Sequence, residues 1–419
     1  MTINRIVQRD EEAIIASSRA RRTGVDSGQI DPALLDISPL TCEIREYRGL
    51  PLIDGTCHFS PGKEAETTAE YARYQNGQLI IHDSPVFPAA EGWEMRVIDN
   101  KFPITDERNI FTNEPYDKDF LLEHGDYSEV HAIGKDLIVI QTPYHNIRAG
   151  LLDYGKILTL EQEFTRREME KDHVQYVTIF RNNSGFPIRV RVPDSVRLSY
   201  FQQYVKNGNE NQDKKEENVN KEGSTSLPTM EYYEFQGKMS GASQTHPHER
   251  IVSMGIMPGK MLASYQKLER KMENRRNYHL YQEHVDRREL TLKEGKDFVL
   301  MVDPVPSHIG GLVIIAENVR NILELDNNTK EELAYFIQLG QTLVDVCNAG
   351  CPSNSYFRQI FDKNGYQRDY PNYRLYCRIE PRVNIHAGFE LAVGIPVITA
   401  EPADIRGAMR DIMSQYNLE

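Results

Sequence analysis

Positive charge is the first shortage. The 419-residue chain sets 49 Lys and Arg against 62 Asp and Glu, a net charge of −13. General nucleic-acid binding needs a broad basic face, so that function class is excluded. A chain this acidic that handles phosphate must keep its positive charge local, in short basic clusters and backbone nests. Long apolar runs are missing too. No stretch of about 18 apolar residues is available to span a membrane, and Met1–Arg22 is charged, without an apolar signal core. We therefore expect no membrane association. The five cysteines are odd in number and widely spaced. That argues against a disulfide framework and for a reducing, cytoplasmic compartment. Between residues 206 and 226 apolar side chains almost vanish, as in Lys206-Asn207-Gly208-Asn209-Glu210-Asn211. Such a tract cannot bury enough surface to offset its ordering entropy. It is expected to form a mobile excursion within an insertion at about 186–237.

What is present suffices for real cores. The chain is 39% hydrophobic, and its length suggests two or three domain-sized units. Glu94–Ile98, Asp136–Thr142 and Tyr176–Phe180 read as strands, with a charged helix expected over 159–172. A long charged helix is expected over 261–283. Phe298–Val302 and Leu312–Ile315 then read as strands, followed by a helix that Thr329-x-x-Glu332 would open as a capping box. Leu333, Phe336, Ile337, Leu343, Val344 and Cys347 suit one face of that helix. Tyr373–Ile379 reads as a strand, and Pro402 opens a last helix with Ile405, Met409, Ile412 and Met413 on one stripe. The order strand, strand, helix, strand occurs near 94–182 and again near 298–379, which suggests an internal repeat.

The segment Gly241-Ala242-Ser243-Gln244-Thr245-His246-Pro247-His248-Glu249-Arg250 carries the clearest chemistry. The residue before a proline is pushed toward extended conformation. In an extended segment positions i and i+2 share a face, so His246 and His248 can address one site. The small residues 241–243 let backbone N–H groups approach an anion, and Ser243 adds a hydroxyl donor. A neutral imidazole beside an anion cradle suits nucleophilic attack on phosphorus. A surface loop that happens to carry two histidines is the plainer alternative.

Five segments in order, from about residue 15 to about 415, resemble the galactose-1-phosphate uridylyltransferase family, the transferase branch of the histidine-triad superfamily. They are Arg19-Ala20-Arg21-Arg22, Cys57-His58-Phe59-Ser60-Pro61-Gly62, Asp99-Asn100-Lys101-Phe102-Pro103, Phe180-Arg181-Asn182 with the His-Pro-His segment, and Ala387-Gly388-Phe389-Glu390-Leu391. The resemblance implies an α+β fold of tandem histidine-triad-like halves, antiparallel sheets with helices packed on them. Residues 1–40 would form a nucleotide-binding arm, 41–260 the catalytic half and 261–419 the C-terminal half. It also implies that His248 takes a nucleoside monophosphate as a covalent adduct, with the His246 carbonyl orienting its ring. Ser243 and Asn182 would hold the phosphate, Arg19, Arg22, Asn100 and Phe102 the nucleotide, and Phe389 and Glu390 the acceptor. The partners implied are a nucleotide or nucleotide sugar and a phosphorylated acceptor, with a homodimer as the assembly.

Three departures from the family pattern bear on this. Arg250 stands where the pattern His-Pro-His-x-Gln has glutamine, replacing a neutral amide by a fixed cation with five donors. It would either hold the anionic adduct too tightly or suit a more anionic substrate. Cys57, His145 and His246 match three of four zinc ligands, but the fourth position is Ser60, a poor ligand. At most one Zn²⁺ is expected, completed by His58 or water. Tyr376-Cys377-Arg378 lacks the histidines of a second metal site. Three functions stay open: nucleotidyl transfer through His248, hydrolysis or phosphorolysis of a nucleotide anhydride, and nucleotide binding by a degenerate site.

Overall fold

A computed structural model of the chain describes residues 5–8, 12–15, 52–87, 92–108, 121–124, 127–145, 147–185, 189–192, 229–232, 240–273, 280–347, 350–382, 386–415 and 418. Arg19 and Arg22 lie outside these residues, as do 193–228 of the expected insertion. At the insertion's stem Arg189–Val192 pairs antiparallel with Thr229–Tyr232. Near the N-terminus Arg5–Gln8 pairs antiparallel with Glu12–Ile15, which in turn lies parallel to Val397–Ile398. Among the described residues no helix is long and apolar enough to cross a membrane.

Eleven strands form one large sheet. In chain order they are β1 (Glu70–Gln75), β2 (Gln78–Val86), β3 (Trp93–Asp99), β4 (Asp136–Ile140), β5 (Tyr176–Asn183), β6 (His248–Met254), β7 (Thr291–Glu294), β8 (Phe298–Val302), β9 (Leu312–Ala316), β10 (Ser353–Arg358) and β11 (Tyr376–Pro381). Their order in space is β7-β8-β9-β11-β10-β5-β6-β4-β3-β1-β2, and every pairing is antiparallel. Between β4 and β5 runs helix α1 (Tyr154–Met169). Helices α2 (Gly259–Glu273) and α3 (Leu280–Asp286) precede β7, α4 (Asn327–Cys347) joins β9 to β10, and α5 (Gly388–Val393) and α6 (Pro402–Gln415) follow β11. This is the α+β class expected. Read outward from the β5–β10 junction, both halves run in the same order: their third, fourth, second and first strands (β5, β6, β4, β3 and β10, β11, β9, β8). The recurring pattern therefore includes a fourth strand in each half.

Alternation along the strands sets the two faces of the sheet. Met95, Val97, Leu137, Val139, Val177, Ile179 and Ile251 share one core with Leu158 and Phe164 of α1 and Leu343 of α4. On the opposite face Trp93, Ile98, Ile138 and Ile140 form a small second cluster, covered by Phe59. The expected apolar stripes of α4 and α6 are buried, Cys347 only partly. The capping box is not used. Asp326 accepts from Thr329 N at 2.8 Å, whereas Glu332 accepts from Asp297 N and Phe298 N, both at 3.0 Å. Aspartate is as good a helix cap as threonine, and the glutamate serves the edge of β8 instead.

Candidate active site

The His-Pro-His segment enters the sheet as the start of β6, between β4 and β5. His248 lies opposite Ile140, and Arg250 opposite Ile138 and Phe180. Alternation puts His248 and Arg250 on the face away from α1, and Glu249 on the face toward it. The His248 ring is 2.8 Å, through Nδ1, from the carbonyl of His246. A carbonyl only accepts, so Nδ1 carries the proton and Nε2 keeps the lone pair. Burial lowers the His248 pKa, and the charges of Arg181 and Arg250 lower it further against the His246 carbonyl. Phe59 meets His248 edge-on at 5.5 Å and His246 at 6.1 Å.

His246 is fully buried. Its Nε2 donates to the Thr142 carbonyl at 2.8 Å, and its Nδ1 lies 3.7 Å from Cys57 Sγ. Burial pushes its pKa down to about 4. His145 bonds Thr245 Oγ1 through Nε2 at 2.7 Å, while its buried Nδ1 has no partner. Cys57, His145 and His246 thus form a buried group whose ligand atoms all lie within 4.8 Å of one another. An orphaned imidazole nitrogen, a lone pair and a thiol converging on one point fit a metal ion. His58 does not join them. Its side chain is 63% exposed and its Nδ1 bonds Glu66 at 2.7 Å. Adjacent residues of a turn need not face the same way, and the carboxylate draws this ring into solvent. The Ser60 side chain is fully buried beside the Cys57 thiol.

Arg250 is not a free cation beside the histidine. Its Nε donates to Asp136 Oδ1 at 3.1 Å and its Nη2 to Asp136 Oδ2, and the guanidinium lies over Phe180 at 5.4 Å. Asp136 also accepts from Asn100 Nδ2 at 3.1 Å and from Ile104 N at 2.9 Å. Asn100 in turn accepts from Phe102 N at 3.0 Å, and the Phe102 ring is 80% exposed. Across the β5–β10 junction Asn354 donates to Asn182 Oδ1 at 2.8 Å and to Ser240 O at 2.7 Å. Asn182 reaches Gly241 O at 3.4 Å. Gly241 has φ +77°, the left-handed turn that brings the 241–245 loop, with exposed Ser243, back over β5. Glu390 accepts from Ala387 N at 3.0 Å and so closes its own short helix, leaving Phe389 half exposed.

Sequence reasoning missed Asp136, Phe59, Thr142 and Asn354. Asp136 and Phe59 stand inside segments singled out above, but only the register of β4 on β6 and the fold of the 57–62 turn reveal their roles. It also missed a polar cluster under the nucleophile. Glu249 accepts from Gln141 Nε2 at 2.7 Å and lies 3.4 Å from Arg181 Nη2. Burial raises the Glu161 pKa well above the usual carboxylate range, and neighbouring Glu249 adds to the rise. A carboxyl whose folded pKa is raised costs stability as pH climbs above the unfolded value. Glu161→Gln is therefore expected to stabilise the protein at neutral pH, and not in acid. Melting temperatures at pH 4 and pH 7.5 check this, and a loss at pH 7.5 would refute it.

An eleven-stranded antiparallel sheet built of two like-ordered halves, with a His-Pro-His strand at its open face, defines an α+β protein of tandem halves. No protein-family model and no curated protein sequence matches the chain. Solved structures do. An ADP-glucose phosphorylase from Arabidopsis thaliana, solved with ADP-glucose bound, superposes with a TM-score of 0.63 at 15% identity, covering 98% of each chain. A GalT-like protein from the same plant gives 0.61 at 15% identity, covering 98% of this chain and 99% of its own. A uridylyltransferase gives 0.55 at 17% identity, covering 83% of this chain and 99% of its own. The chain has the fold of these proteins.

Proposed function

We propose that this protein transfers a nucleoside monophosphate from a nucleotide sugar or similar donor to a phosphorylated acceptor, through a nucleotidyl adduct on His248. The observation that carries the reading is the Nδ1–H bond from His248 to the backbone carbonyl of His246, which leaves the Nε2 lone pair free to attack. Nε2 attacks the α-phosphorus. A P–N bond forms as the P–O bond to the leaving sugar phosphate breaks, and the imidazolium so formed keeps its Nδ1 proton on the His246 carbonyl. A phosphate oxygen of the acceptor then attacks the same phosphorus and releases Nε2. Asn182 and Ser243 flank the phosphate, and the exposed Phe102 ring offers a platform for the base. Cys57 Sγ, His145 Nδ1 and His246 Nδ1 would hold one Zn²⁺. A bound ion would supply a rigid tie for the turn that carries the His246 carbonyl and Phe59, which together aim His248.

Inorganic phosphate as the acceptor is the second reading. It is favoured by Glu390, whose carboxylate is engaged in capping its own helix, and by the likeness to an ADP-glucose phosphorylase. Intact-mass spectrometry after incubation with UDP-glucose and ADP-glucose tests both. The expected result is one nucleoside monophosphate added per chain, discharged by a phosphorylated acceptor. Discharge by inorganic phosphate alone selects the second reading. No added mass from any nucleotide donor would end the covalent reading.

A further inference from the structure

The residue paired with Arg250 raises a question that the transfer reading leaves open: how a permanent cation can sit beside a phosphoryl-bearing histidine without trapping the adduct. Asp136 has no solvent-exposed side-chain surface, whereas Arg250 keeps 22% of its own. The carboxylate takes the Nε/Nη2 edge of the guanidinium side-on, a fork-to-fork arrangement that fixes the plane of the group. Two further donors, Asn100 Nδ2 and Ile104 N, complete its shell. Nη1 of Arg250 has no hydrogen-bond partner among the described residues, and Arg250 shares the strand face of His248.

We propose that Asp136 is a positioning residue that turns Arg250 into a neutral donor edge beside His248. The reading rests on nucleotidyl transfer at His248. The pair carries no net charge. Nη1 keeps two N–H groups and Nη2 one, all held in a fixed plane. Binding that is equal in adduct and transition state speeds nothing, so a cancelled charge keeps the intermediate from becoming a sink. The same carboxylate grips Asn100 and Ile104, on either side of the exposed Phe102. It therefore sets the turn for the base and the donor edge for the phosphate from one buried point.

The test compares wild type with Asp136→Asn, Arg250→Lys and the double variant Asp136→Asn/Arg250→Gln. UMP and AMP affinities are measured by calorimetry at low and high salt, melting temperature serves as the fold control, and adduct discharge is followed by intact mass. Asp136→Asn uncovers the cation. It should bind the monophosphates at least tenfold more tightly, with a steeper loss in salt, and should discharge its adduct at least tenfold more slowly. The double variant, neutral again, should return to within about threefold of wild type. Arg250→Lys, which keeps charge but loses the fork, should bind at least tenfold more weakly. It decides the matter if Asp136→Asn does not fold, since wild-type affinity there refutes the proposal. An Asp136→Asn protein with unchanged or weaker affinity, or a double variant no better than Asp136→Asn, also refutes it. Monophosphate binding requires no chemistry. A wild type that binds UMP or AMP but forms no adduct thus sinks the transfer reading alone, and one that binds neither sinks both.

Discussion

Replacing His248 by alanine is expected to abolish the covalent adduct and to lower turnover by about a thousandfold or more, with nucleotide affinity within a few-fold of wild type. Neither neighbouring imidazole is placed to take over. His246 gives one nitrogen to the Thr142 carbonyl and turns the other to Cys57, and His145 is tied to Thr245. Asn182, Asn100 and Phe102 hold their places through bonds that do not involve His248. The nucleotide subsite should therefore outlast the nucleophile. Steady-state rates with a nucleotide sugar and intact mass of the same samples check this. Turnover near the wild-type rate would rule out His248 as the attacking group.

Loss of the metal group is expected to show first in stability. Elemental analysis of protein purified without chelator should find one zinc per chain, and Cys57→Ala should find none. With free metal about a thousandfold above its dissociation constant, binding to the folded state alone contributes about 4 kcal/mol. The variant, like wild type stripped by a chelator, should therefore melt several degrees lower. With three strong donors rather than four, the ion should exchange more readily than in a closed structural site. Two metals per chain, or a Cys57→Ala protein with undiminished zinc, would contradict the Cys57, His145 and His246 assignment.

Strands of the core were legible because their side chains are all apolar and half of them β-branched. Phe298–Val302 and Leu312–Ala316 are buried at every position and read directly as strands. Ser353–Arg358 gave no such signal. Its sequence, Ser-Asn-Ser-Tyr-Phe-Arg, has one buried aromatic and no β-branched residue, and only pairing between β5 and β11 makes it a strand. The start of α4 was misread for a local reason, since Asp326 lies close enough to cap before Thr329 can. In the site, the shared face of the two histidines follows from chain-local geometry around Pro247, and the role of the His246 carbonyl comes from the family resemblance. The partner of Arg250 does not. Asp136 is 114 residues away in sequence, and its role depends on the register of β4 on β6, which spacing along the chain cannot convey. Likewise His58 looked available as a ligand because it adjoins Cys57, and only the conformation of the turn sends it to Glu66.

The β5–β10 junction bears on how the chain assembles. Asn183 and Ser353, bonded across it at 3.2 Å, are 170 residues apart. Pairings of such separation form late and slow folding, because the entropy of closing the chain precedes any reward from contact. Until then β5 and β10 are each the open edge of a partial sheet, a template for pairing with the wrong molecule. The polar run Ser353-Asn354-Ser355 makes one of those edges less adhesive. The other carries the Asn182 amide, whose orientation depends on Asn354. An N-terminal half synthesised alone would hold His248 in place, yet it would lack that support and present β5 unpaired. Aggregation rather than a smaller working catalyst is the expected fate of such a fragment.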